Sequence, residues 1–373
     1  MFLCLAAAVL LVAQAVPVVQ GQEPPRLTPD GWRQAEPSYE LEFPRDHGSH
    51  PEYRIEWWYY TGNLAAVDGR RFGYQVTFFR IGVDPDPDSP SRWAVRDLFM
   101  AHLAVTDIGA GEHRVAERLD RAGVGWAGAR PGTLEVWNGD WRADLEGEVH
   151  HLRATDLELG VDLRLAPGRG VTPHGEGGFS RKGAERGNAS HYYSMPRMPT
   201  TGRVTLDGES VEVTGASWMD HEFGTTFLEP GQVGWDWFSI QLDDGSDLML
   251  FQLRRADGSR DIHSAGTWID ATGVATAIRA DEFSLSPGRV WSSPSSMAAY
   301  PVEWRLELPG RGLLFDIAAA TDAQELDTDA STGVTYWEGA ITISGRVGER
   351  AVDGRGYLEM TGYAGRPMSE MFR

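Results

Sequence analysis

The run Ser217-Trp218-Met219-Asp220-His221-Glu222-Phe223 sets three ionisable side chains among bulky apolar ones, and Gly234-Trp235-Asp236-Trp237-Phe238 follows closely. A carboxylate removed from water must be paired, hydrogen-bonded or kept protonated by a raised pKa. An acid kept protonated near neutral pH is a proton donor, which makes Asp220 a candidate general acid; positioned proton transfer is worth roughly 10² to 10⁴ in rate. The same pattern also suits a strand that turns Asp220 and Glu222 to solvent and Trp218 and Phe223 to a core. His191-Tyr192-Tyr193-Ser194 adds an imidazole and two phenols. If His191 meets Asp220, the two form an acid–base pair, since histidine titrates near neutrality; a hydrogen-bonded structural histidine is the alternative. Glu56-Trp57-Trp58-Tyr59-Tyr60-Thr61-Gly62 places an acid ahead of four aromatics. On a strand these rings point to both faces, so a second domain or a ligand must cover one of them. Glu56 paired with an arginine inside a core strand is the other reading.

The elements that must position these groups are strands. Phe72–Phe78, Val161–Leu165 and Val302–Leu308 alternate with period two. Asp-Gly pairs at Asp68-Gly69, Asp207-Gly208, Asp244-Gly245 and Asp257-Gly258 fall between apolar runs and signal hairpins. Long amphipathic helices are hard to find, so the pattern predicts an antiparallel all-β chain, with barrels solving the problem of open edges. The Gly-rich, charged segment 169–188 reads as an exposed loop. We divide the chain into an apolar leader at 1–21, a polar arm at 22–37, a first domain at 38–224 and a second at 225–373. Tyr60-Thr61-Gly62 is echoed by Met360-Thr361-Gly362-Tyr363, each with a glutamate shortly upstream.

Composition narrows the function. At 373 residues the chain has room for two cores, and its net charge of −20 argues against nucleic acid and anionic lipid surfaces as partners. Lys182 is the only lysine and carries no catalytic weight at this point. The run Phe2–Val19 resembles a secretory signal, which implies a periplasmic or secreted bacterial protein. Cys4, the only cysteine, lies inside it, so the mature chain would have neither disulfides nor thiolate chemistry. Asp220, His221, Glu222 and His191 are metal-ligand types at poor spacing, and neither a metal nor another cofactor is expected. A Gly-x-Ser-x-Gly elbow is missing, which weakens a serine hydrolase.

These residues carry a resemblance that spans nearly everything after the arm. Glu56-Trp57-Trp58-Tyr59 with Thr61-Gly62, Phe78-Phe79-Arg80, Ala101-His102, His191-Tyr192-Tyr193-Ser194, Ser217 to Glu222, Gly234-Trp235-Asp236-Trp237 and Gly356-Tyr357-Leu358-Glu359 resemble the secreted two-domain lipocalin-like family of AttH-type proteins and CrtC-type carotenoid 1,2-hydratases. The resemblance implies two packed calycin-type β-barrels. It implies Asp220 as the acid that protonates an isolated C=C bond, with His191 beside it. Trp218, Tyr193, His221, Glu222, Glu56, Trp57, Trp58, Trp235 and Trp237 would then surround an apolar isoprenoid or lipid. Tyr193 and Trp218 stand where the hydratases are expected to carry a tryptophan and a tyrosine. The Asp220-His221-Glu222 form is closer to the AttH-type branch, whose association with export implies a non-catalytic accessory of an ABC transporter as the alternative. The family's label as secreted hydrolases supplies a third reading.

Overall fold

The computed structural model describes residues 25–86, 91 and 93–365; the apolar leader and Cys4 lie outside them. Apart from three 3-10 segments of three residues each, the regular elements among the described residues are β-strands. They form two large antiparallel sheets. In the first, the order from edge to edge is Glu112–Arg121, Asp97–Asp107, Arg71–Gly82, Ile55–Ala66, Glu209–Gly224, Ala189–Leu206, Leu159–Leu165, Val149–Asp156, Trp141–Glu146, Glu135–Asn138 and Ala127–Ala129. The sheet curls until its outer strands approach. Arg118 Nη1 donates to the Asn138 carbonyl (3.0 Å) and Asn138 Nδ2 donates to the Phe99 carbonyl (3.0 Å). Trp58, Tyr60, Val76, Leu103, Leu163 and Met219 fill this nearly closed barrel.

The second sheet centres on Asp247–Arg255, Gln232–Leu242, Arg350–Met360 and Val334–Val347, in that order. Phe238, Leu250, Leu306, Phe315, Ile341 and Leu358 lie in its own core. The two packed lipocalin-like barrels expected from the sequence are therefore the architecture of the chain. All four Asp-Gly pairs form turns, each with its glycine at positive φ. The Asp207-Gly208 turn matters most here, because it pairs Ala189–Leu206 with Glu209–Gly224, and a one-residue register shift between Met195 and Met198 then sets Ser194 opposite Asp220.

Both barrels bury a second face against each other. Tyr59, Tyr192 and Trp218 of the first sheet pack with Trp237, Met249, Phe251, Leu253, Ala340 and Tyr357 of the second. Each large side chain buried this way stabilises by about 1.5 to 3 kcal/mol. Gly73 permits the approach, since a Cβ there would lie 2.9 Å from both the Ala340 Cβ and the Tyr357 hydroxyl oxygen. The uncovered aromatic face anticipated for Trp57 to Tyr60 is thus covered by the second sheet.

The segment 169–188 departs from its reading as an exposed loop. Thr172–Pro173 and Phe179–Arg181 pair with Ala189–Leu206, and His174 and Lys182 are buried. Its glycines, which suggested exposure, instead let the chain fold back on the sheet; Gly175, Gly177 and Gly178 all have positive φ.

Candidate active site between the two barrels

Strand alternation decides what meets what. With Asp220 opposite Ser194 on one side and Tyr59 on the other, Trp218, Asp220, Glu222, Tyr192, Ser194, Trp57 and Tyr59 share the face turned to the second sheet. Trp218 and Phe223 consequently lie on opposite faces, and both acids are buried. The solvent-facing reading of Asp220 and Glu222 is overturned.

Three donors hold the Asp220 carboxyl. Trp218 Nε1 donates to Oδ1 (2.6 Å), the Ser194 hydroxyl donates to the same oxygen, and the Tyr192 hydroxyl donates to Oδ2 (2.5 Å). Trp237 Nε1 in turn donates to the Tyr192 hydroxyl (2.9 Å). Oδ1 thus has both lone pairs engaged, while Oδ2 keeps one free, and the acid proton belongs there. Burial pushes the carboxyl up to about 7, against the three donors, which favour the ionised form. Behind Ser194, His174 Nε2 lies 2.6 Å from its hydroxyl and Nδ1 lies 2.8 Å from the Thr267 hydroxyl. Burial lowers His174 to about 3, so the ring is neutral at physiological pH. With its proton on Nε2, the polar chain Thr267, His174, Ser194, Asp220 has one donor and one acceptor at every link.

A stability consequence follows. The unfolded value for Asp220 is near 3.8, so between about 4 and 7 the folded chain holds a proton that the unfolded chain has released. Its contribution to stability falls as pH rises through that window and is level above it. Melting curves of wild type and Asp220→Asn across this range isolate the effect: the variant should gain on wild type up to about pH 7. A pH-independent difference would contradict the raised value.

Asp220 lines a cavity between the sheets, together with Trp57, Tyr59, Phe79, Tyr192, Phe227, Trp235, Trp237, Phe251 and Tyr336. The space open to the centres of water-sized atoms is about 80 Å³; since one water needs about 10 to 15 Å³ by this measure, a reacting alkene end and a water fit together. Lys182 Nζ sits 3.0 Å from Glu222 Oε1 and over the Phe251 ring at 4.0 Å, so the lysine set aside in the sequence belongs to the cavity wall. His102 joins it, its Nδ1 2.7 Å from the Tyr336 hydroxyl, and burial lowers it to about 3. The second sheet contributes Glu338 and Glu359.

The remaining site candidates fall on the other face of the sheet. His191 does not meet Asp220: its Nε2 lies 3.2 Å from the Tyr53 hydroxyl, and its ring packs on Tyr39 and Phe223. Burial lowers it to about 3. Tyr193, His221, Glu56 and Trp58 belong to a polar network inside the first barrel. Glu56 is bound by His50 Nδ1 (2.8 Å), His221 Nε2 (3.0 Å) and Arg80 Nε (3.0 Å), which is its arginine-paired reading. The Tyr193 hydroxyl joins His47 and His221, and Trp58 stacks on His221. The physical reason for this split is the one-residue offset between Asp220 and His221, and between Tyr192 and its neighbours. It also divides the donor set weighed for a metal. His50, Glu56 and His221 bring ligand atoms within 4.8 Å of one another, but the guanidinium of Arg80 already supplies the positive charge there.

With this geometry in view, comparison with known proteins is informative. Residues 34–363 match the AttH-like family. The chain belongs to that family. The crystal structure of an AttH-type protein of Nitrosomonas europaea is 37% identical, spans 88% of this chain and 98% of its own, and superposes with a TM-score of 0.80. Kievitone hydratase of Fusarium solani subsp. phaseoli is 26% identical over 184 residues, 46% of this chain and 49% of that protein; the chain spans about half the length of this curated relative. The kievitone hydratase structure from Nectria haematococca shares the fold over 90% of this AttH-like chain and 98% of its own, at 17% identity and a TM-score of 0.68.

Proposed function

We propose that this AttH-like protein is an exported hydratase-type enzyme that holds an apolar isoprenoid or lipid between its barrels and adds water across a C=C bond. The observation that carries the reading is a carboxylic acid, fixed by three donors, that lines an aromatic-walled cavity. The hydratase relative supports the reaction class. In the forward step the Oδ2 proton and the alkene π pair form a C–H bond, and the positive charge develops on the more substituted carbon. Trp57, Trp235, Trp237 and Phe251 present ring faces or edges to that space, and a well-placed face stabilises a cation by about 0.5 to 2 kcal/mol. Water then adds and loses a proton.

Native mass spectrometry of the protein from its own envelope fraction, beside Asp220→Asn, tests this reading. A hydroxylated isoprenoid or lipid in wild type and its unsaturated counterpart in the variant are expected. The same ligand in both would point to a carrier, and a carbohydrate or peptide ligand would contradict the apolar reading. The cradle makes a separate prediction. Tyr192→Phe removes a donor that favours ionised Asp220, so the proton is held more tightly and the alkaline limb of the pH–rate profile should move to higher pH. A limb that stays or moves down would sink the assignment of that limb to Asp220.

A further inference from the structure

The wall opposite Asp220 carries a second set of acids. Glu338 and Glu359 are direct cross-strand partners on Val334–Val347 and Arg350–Met360, and both line the cavity. Glu338 is 1% exposed, and its Oε1 has no hydrogen-bond partner. The same holds for the hydroxyl of Tyr59, the cross-strand neighbour of Asp220. Tyr59 lines the same cavity as Asp220, Glu338 and Glu359, and burial, then the charges of these acids, raise its hydroxyl. Its hydroxyl faces Glu338 closely enough to hold that carboxyl down, although the geometry falls short of a well-formed hydrogen bond. Buried polar atoms are nearly always satisfied, so this poorly paired hydroxyl and carboxyl on one cavity point to a small hydroxylic ligand that bridges them. Burial raises both glutamates above the usual carboxylate range; the charge of Glu359 adds to this at Glu338, and those of Asp220 and Glu222 add to it at Glu359. Adjacent carboxyls cannot both ionise cheaply, so the pair retains one proton and offers one carboxylate.

We propose that the Glu338–Glu359 pair, with Tyr59, holds the adding water and takes its proton. This rests on the hydratase reading above and assigns the half of that reaction which Asp220 leaves open. The atoms balance. Asp220 gives its proton to one alkene carbon, and the π pair becomes the C–H bond. A water lone pair forms the C–O bond at the cationic carbon, an O–H bond of that water breaks, and its proton passes to the carboxylate of the pair. One proton then returns to Asp220 by way of the Tyr59 hydroxyl, and nothing is oxidised or reduced.

The full-length protein is incubated with farnesol, geranylgeraniol and squalene in H₂¹⁸O and, separately, in D₂O. In wild type, ¹⁸O enters a tertiary alcohol and deuterium enters the remaining alkene, because protonation by Asp220 is reversible. Glu338→Gln and Glu359→Gln should lower ¹⁸O incorporation by about 100-fold or more and leave alkene deuteration within about threefold of wild type. A purely structural role lowers both together, and unchanged ¹⁸O incorporation shows that the pair is not the base; either result overturns the proposal. If wild type neither hydrates nor deuterates any of the probes, the hydratase reading fails and takes the base role with it. Infrared titration separates that failure from an error about the pair itself. A protonated-carboxyl band that persists in Asp220→Asn at neutral pH and is lost in the double Glu-to-Gln variant establishes the shared proton, and no such band overturns it.

Discussion

Asp220→Asn should reduce turnover by about 10² to 10⁴ while leaving the fold intact. Asparagine has the same shape, and its carbonyl can still accept from Trp218 and Ser194 in place of Oδ1. Its amide nitrogen would face the Tyr192 hydroxyl, which can rotate to accept. What the amide cannot do is release a proton to carbon. The pH dependence follows with its sign. The working form of Asp220 is protonated, so the rate of wild type should fall tenfold per unit above about 7, while the carboxylate required of the Glu338–Glu359 pair sets the acid limb. Steady-state rates on a turned-over isoprenoid, with circular dichroism to check folding, measure both. An active, well-folded Asp220→Asn would remove the acid from the mechanism, and a rate that rises above pH 7 would make Asp220 a base.

The largest effect on stability is expected at a buried acid on the face away from the cavity. Glu56 is fully buried among Arg80, His50 and His221, and Arg80 also bonds Asp97 (2.9 Å) and the carbonyls of His50 and Tyr53. Glu56→Ala leaves a buried guanidinium short of its counter-charge, which costs about 3 to 5 kcal/mol. The hydrogen bonds and ion pair hold Glu56 well below the usual carboxylate range in spite of burial, and Asp46 likewise. Their stabilisation is therefore present above the unfolded value near 4.5 for Glu56 and is lost as pH falls below it. Urea titrations at neutral and acidic pH should show a large deficit in Glu56→Ala that shrinks towards acid. A deficit under about 1 kcal/mol at neutral pH would mean that the network does not hold the segment around His50 to the barrel.

Much of the architecture was legible because hairpin chemistry and period-two alternation are local. Asp207-Gly208 alone implies that Ala189–Leu206 and Glu209–Gly224 pair, and alternation in Trp57 to Tyr60 implies two covered faces. The site was harder, since its membership depends on register. Asp220 and His191 stand on paired strands, yet the register opposes Asp220 to Ser194 and His191 to Phe223 and so sends the two to opposite sides of the sheet. Tyr192 and Ser194, which do reach Asp220, sat inside the motif but were overshadowed by the histidine. His174 and Lys182 were hidden by a glycine-rich segment whose composition suggests exposure. Glu338 and Glu359 come from the other barrel, where Glu359 stood in the Gly356-Tyr357-Leu358-Glu359 motif and in the threonine–glycine echo, while Glu338 carried no signal.

The most direct measurement is the fate of solvent deuterium. Farnesol, geranylgeraniol and squalene are incubated with the protein in D₂O near neutral pH, and the products are analysed by mass spectrometry and NMR. The account predicts a tertiary alcohol with deuterium on the adjacent carbon, formed by wild type and lost in Asp220→Asn. An alcohol without that carbon-bound deuterium, or equal product from the variant, would contradict protonation of the alkene by Asp220.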